Sequence, residues 1–169
     1  MDFVSKILTC TILLVAILVP LSSCDLIEDS CKRTPNEQLC LSILKSDPKA
    51  PGADITGLAL IMVNSLKSKA TSAIEVIKNL LKTKPNLKVP LTECNERYEL
   101  GVKTDVGVAV EALKLGNPKF AQNGMNDAIV EIQVCEDGFK SEPSPITGVN
   151  KEAKDIAAIA SAIMGPLLI

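Results

Sequence analysis

Histidine is absent from the 169 residues, and so is tryptophan; one tyrosine and three phenylalanines make up the whole aromatic complement. Without histidine, Ser-His-Asp and Cys-His nucleophile systems are excluded. The GxSxG, P-loop and GxGxxG patterns are missing as well, and with them the familiar hydrolase, nucleotide and dinucleotide signatures. No CxxC pair occurs, which together with the lack of histidine argues against a structural zinc site. A surplus of positive charge is also lacking. The net charge is −2, and no clustered basic face interleaved with aromatics offers a surface for nucleic acid. No metal, cofactor or nucleic acid is therefore expected to bind. No Asn-x-Ser/Thr sequon occurs either.

What is present begins with an export signal. Lys6 closes a short polar start, "ILTCTILLVAILV" supplies a thirteen-residue apolar run, and "PLSSC" follows, with Ser22 and Cys24 as small residues before a cut. Thirteen residues rise roughly 20 Å as a helix, short of the ~30 Å needed to cross a bilayer. The reading is a signal peptide over residues 1–24, cleaved before Asp25, and a mature domain over 25–169. The expected destination is the secretory pathway, with no membrane association once the signal is removed.

Four stretches carry apolar residues at steps of three and four, the helical pattern. They run from Ile55 to Leu80, from Leu91 to Leu113, from Ala121 to Phe139 and from Val149 to Leu167. "KPNLKVP", "GNP" and "EPSPITG" punctuate them. Short connections between long amphipathic helices make neighbours antiparallel, so the fold class is all-α, an up-down-up-down four-helix bundle over 54–169. Ahead of it, residues 25–50 read as a helical hairpin whose second helix opens through Thr34 with Pro35 at its first position. The apolar end "IMGPLLI" reads as the last turn of the final helix, with a sorting tail as the alternative.

Removal of the signal leaves Cys31, Cys40, Cys94 and Cys135, a set suited to two disulfides in an exported domain. Level residues of an antiparallel hairpin are equidistant from its turn. Positions 94 and 135 have their midpoint at 114.5, close to Gly116-Asn117. This pairs Cys94 with Cys135 and leaves Cys31 with Cys40.

Paired carboxylates could in principle serve as acid and base. Glu136 and Asp137 are adjacent in sequence, but neighbours on a helix point about 100° apart and do not converge, so they read as a solvated last turn before a Gly138 cap. The chain is not expected to be an enzyme. An exported, cross-linked helical domain without catalytic groups is best read as a binder, and "GNPKF" at 116–120 is its candidate surface. Asn117 suits a helix N-cap and Pro118 the first helical position. Lys119 then opposes the helix dipole, which favours cations at the other end, and this suggests a use other than stability. The bland alternative has Phe120 tucked into the end of the core and Lys119 merely solvated.

The motifs "LIEDSCKRTPNEQLC", "SDPKA", "GLALIMV", "LTECNERY" and "CEDGF", in that order and with four cysteines so arranged, make the mature chain resemble the plant invertase and pectin methylesterase inhibitor family. The resemblance implies a four-helix bundle with an N-terminal helical hairpin, and disulfides between the first and second and the third and fourth cysteines. It implies the apoplast and cell wall, or the vacuole, as destinations. The invertase branch carries a Pro-Lys-Phe motif between the second and third bundle helices, which Pro118, Lys119 and Phe120 match. By that resemblance these three enter the cleft of an acid invertase (β-fructofuranosidase), in a 1:1 complex, and block sucrose. The pectin methylesterase branch often adds a free cysteine, which the expected mature chain lacks. An inhibitor of pectin methylesterase, binding through helix faces, is the alternative within the fold. In another functional class, the same bundle would be a carrier of a small apolar ligand.

Overall fold

The computed structural model describes residues 21–140 and 142–168, all helix and connecting turns. Most of the expected signal segment, residues 1–20, lies outside the described residues. Helix α1 spans Leu21–Lys32 and α2 spans Glu37–Ser46. The disulfide Cys31–Cys40 joins them with 5.5 Å between Cα atoms. Helix α2 does not open through Thr34 and Pro35 as its sequence suggests. Asn36 is the N-cap, its side chain accepting from the Leu39 N–H at 3.1 Å, while the Thr34 hydroxyl donates back to the Cys31 carbonyl at 2.7 Å. Thr34 closes the first helix, and Asn36, equally able to cap, opens the second.

The bundle consists of α3 (Ile55–Thr83), α4 (Lys88–Glu96), a π-helical turn (Arg97–Val102), α5 (Lys103–Lys114), α6 (Pro118–Asp137) and α7 (Thr147–Met164). The second bundle helix is one rod made of α4, the π turn and α5. It begins at Lys88, inside the stretch read as punctuation, after a short 3₁₀ turn at Pro85–Leu87. Helix α3 packs on α5 and α7, and α6 packs on the same two, which closes the ring of four. The hairpin lies against α3 and α7.

The π turn has a cause in the apolar spacing. The α3 stripe steps 4, 3, 4, 4, 3, 4, 3 from Ile55 to Leu80, close to the 3.6-residue turn. In the second helix Cys94, Tyr98, Val102 and Val106 repeat at four, four and four, and all are buried. Each step of four overshoots an α-helical turn by about 40°, so three would carry the stripe about 120° round the rod. One wider turn absorbs the drift and keeps all four residues facing the core.

Small residues let the helices come close. A methyl on Gly124 of α6 would lie 2.9 Å from the Asp105 carbonyl oxygen of α5, so this crossing depends on glycine. The second disulfide, Cys94–Cys135, ties α4 to α6 with 4.6 Å between Cα atoms, and both cysteines are fully buried. Beside it a polar chain crosses the core. The Tyr98 hydroxyl donates to Asn150 Oδ1 at 2.8 Å, Asn150 Nδ2 donates to Glu136 Oε2 at 2.6 Å, and the Thr147 hydroxyl donates to the other Glu136 oxygen. Glu136 is thus not the solvated carboxylate its sequence suggests; it fastens the start of α7. Burial, reinforced by Glu136, pushes the Tyr98 phenol well above its ordinary range. Beyond α7, a 3₁₀ turn over Gly165–Leu168 folds back, with Met164 buried and Leu167 packed on the core.

Candidate functional site

At one end of the bundle α5 passes into α6 within three residues. The Asn117 N–H donates to the Ala112 carbonyl at 2.8 Å and the Gly116 N–H to the Leu113 carbonyl at 3.1 Å, a Schellman closure of α5. It requires a left-handed residue after the last turn, and Gly116, at φ +71°, supplies one without a Cβ penalty. The side chain of Asn117 then accepts from the Phe120 N–H at 3.2 Å and opens α6. Pro118 occupies the first helical position, where a missing N–H costs nothing. One asparagine therefore ends one helix with its backbone and begins the next with its side chain. The turn has little freedom.

This turn presents Lys119 and Phe120 outward. Phe120 is 55% exposed and is not part of the core. Lys119 is exposed and its ammonium donates only to Gln122 Oε1, at 3.3 Å. Among the described residues it has no carboxylate within ion-pair distance. Its neighbour Lys114 pairs with Glu111 at 2.9 Å, and Lys78 and Lys103 both bond Glu99 at 2.8 Å. Lys119 is an uncompensated cation at the positive end of a helix dipole, beside an aromatic ring in water. Pro118 is half-buried beneath them.

No sequence motif marks a group of carboxylates that α5 and α6 bring together. Asp105 of α5 is half-buried, and burial, with Asp127 and Glu131 of α6 adding repulsion, raises its pKa to about 6. Glu131 also bonds Arg97 across the helices at 3.2 Å. The hairpin register that pairs Cys94 with Cys135 also sets Asp105 opposite Gly124, about one turn from Asp127. These side chains do not form a set of metal ligands, and no such group of three exists among the described residues. No described helix is long and apolar enough to cross a membrane.

The fold is thus a disulfide-stapled helical bundle that holds one closely bonded turn open to solvent. The sequence profile described as plant invertase/pectin methylesterase inhibitor matches residues 25–163, and the chain belongs to this family, whose members inhibit enzymes and are not enzymes themselves. The cell wall / vacuolar inhibitor of fructosidase 1 of Arabidopsis thaliana is 43% identical over 138 residues, 82% of this chain and 67% of that protein. Pectinesterase inhibitor 2 of the same plant is 30% identical over 121 residues, 69% of each chain. The crystal structure of a mutant pectin methylesterase inhibitor from Arabidopsis aligns with a TM-score of 0.67 at 22% identity, covering 79% of this chain and 91% of that one. At that identity the likeness speaks for the fold.

Proposed function

We propose that the protein inhibits plant acid invertase, with Pro118, Lys119 and Phe120 entering the sucrose-hydrolysing cleft in a 1:1 complex. The observation that carries this reading is the exposed, charge-unpaired Lys119 beside the half-exposed ring of Phe120, on a turn fixed from both sides. A retaining glycosidase keeps two carboxyl groups in its pocket. An ammonium there makes a charge-assisted contact, and the adjacent ring fills apolar space. The rigid turn lowers the ordering cost of binding. The 43% relative bears a fructosidase inhibitor's name, which supports the same target.

Export through a signal peptide over residues 1–24 belongs to this proposal. The family match begins at residue 25, the first residue after the expected cut, and that relative's name gives cell wall or vacuole as destinations. Inhibition of pectin methylesterase is the second reading, supported by the pectinesterase inhibitor relative and by Leu100 and Val130, large apolar side chains exposed on helix faces. Titration of the purified mature protein against acid invertase and pectin methylesterase in parallel separates the two. Inhibition of invertase alone is the expected result; inhibition of pectin methylesterase alone would transfer the function to the second reading.

A further inference from the structure

The ring of Phe120 does not stand alone. It forms one wall of a shallow depression whose other apolar walls are Val108 and Ala112 of α5 and Leu115, the residue that caps α5. Leu115 is 83% exposed, more than Phe120 itself. Nothing in the fold calls for leucine there. The Schellman closure uses only the backbone of this segment, so a polar residue would cap the helix equally well. Glu111 is the charged residue in its lining, and its carboxylate is paired with Lys114 just outside at 2.9 Å, so the depression carries no unpaired charge. Lys119 is the uncompensated charge beside it.

We propose that this depression is a second docking element, which seats on apolar and aromatic side chains at the rim of the invertase cleft. The proposal rests on the reading of Lys119 and Phe120 as the plug. Continuity and charge both point to that occupant. Phe120 belongs to plug and depression alike, so any surface that encloses its ring must also approach Leu115. An apolar depression with no unpaired charge is matched by an apolar rim, since charged or unpaired polar groups set against it would lose hydration without gaining a partner. The depression then acts as a collar that keeps water from the plug, the arrangement that surrounds interface hot spots. Exclusion of water strengthens the contact between Lys119 and an acidic pocket. Because rim side chains lie outside the reacting centre, this collar is the place where one invertase would be told from another.

The test measures inhibition of purified plant acid invertase by the mature protein and by Leu115→Ser, Leu115→Met, Phe120→Ala and Val89→Ser, with melting temperatures on the same preparations. Val89 is 80% exposed, about 40 Å away along the same rod, and serves as the control for loss of exposed apolar surface. Leu115→Ser is expected to weaken inhibition roughly tenfold or more. Leu115→Met should retain inhibition, Val89→Ser should leave it unchanged, and all variants should melt with the parent. If Leu115→Ser inhibits within about twofold of the parent while Phe120→Ala does not, the collar is refuted and the plug stands. If both inhibit normally, plug and collar fall together. If Leu115→Ser fails to fold, equal loss of inhibition in the folded Leu115→Met overturns the apolar collar, and retention supports it. A parent protein inert toward invertase removes both.

Discussion

Asp105 lies half-buried between α5 and α6 with Asp127 and Glu131 near its carboxyl group, and its pKa of about 6 stands above the ordinary 3.8. A carboxyl whose folded pKa exceeds its unfolded one holds its proton more tightly in the native state. Stability from this group is therefore complete below about pH 4 and is lost as pH rises through about 6. Glu99 behaves oppositely: bonds from Lys103 and then Lys78 hold it down at about 2, so the stability it contributes is lost only in stronger acid. Asp105→Asn should melt with the parent at pH 4 and above it at pH 7, flattening the pH profile between. Thermal unfolding at several pH values checks this, and a parallel pair of profiles would show that Asp105 does not titrate in that window. At this scale the sequence was partly legible. Asn117, Pro118 and the exposed lysine follow from capping rules. The burial of Asp105 depends on where α6 crosses α5, which no local pattern states.

The helices themselves were easier to anticipate than their joints. Alternating steps of three and four mark α3 and α6 directly, because an apolar stripe on a 3.6-residue helix admits little else. The π turn was also written in the chain, in the three successive steps of four from Cys94 to Val106, but counting apolar residues without following their phase conceals it. The start of α2 is ambiguous in the sequence because Thr34 and Asn36 are both competent caps, and the Thr34 bond to Cys31 decides between them. Glycines show how the packing of elements overrides their propensity. Gly107 and Gly124 both lie within helices. A methyl at Gly107 meets nothing within 4 Å, whereas one at Gly124 runs into the Asp105 backbone at 2.9 Å. Gly107→Ala should stabilise by up to about 1 kcal/mol from helix propensity. Gly124→Ala should instead cost about 1–3 kcal/mol, because α5 and α6 must separate. Urea unfolding of the two variants compares them, and stabilisation by both would mean that the close crossing is not needed.

Over the whole molecule, two buried disulfides divide the work of restraint. Cys31–Cys40 closes a short loop in the hairpin, and Cys94–Cys135 joins α4 to α6 with the Tyr98–Asn150–Glu136 chain beside it. By chain entropy the longer link contributes about 4 kcal/mol and the shorter about 2.7 kcal/mol. Replacing each pair with alanine should lower stability in that order, read by denaturant midpoint, and the opposite order would locate the principal restraint in the hairpin. The pairing could be read from the sequence because an antiparallel hairpin with a three-residue turn fixes its own register. The partner could not be read that way, since the fold alone serves relatives named for two different target enzymes. The proposal for invertase rests on the turn between α5 and α6 together with the name of the 43% identical relative.

The most direct test therefore uses Lys119→Ala and Phe120→Ala, singly and combined, with melting temperature and invertase inhibition constant measured on the same preparations. Both side chains are exposed at a helix start and contribute little to folding. Each substitution should leave the melting temperature within a few degrees. Each should weaken inhibition about thirtyfold, corresponding to about 2 kcal/mol for a buried interface anchor. Lys119→Glu should be worse still, because it sets a carboxylate against an acidic pocket. Undiminished inhibition by the folded double alanine variant would contradict the assignment of this turn as the surface that enters the enzyme.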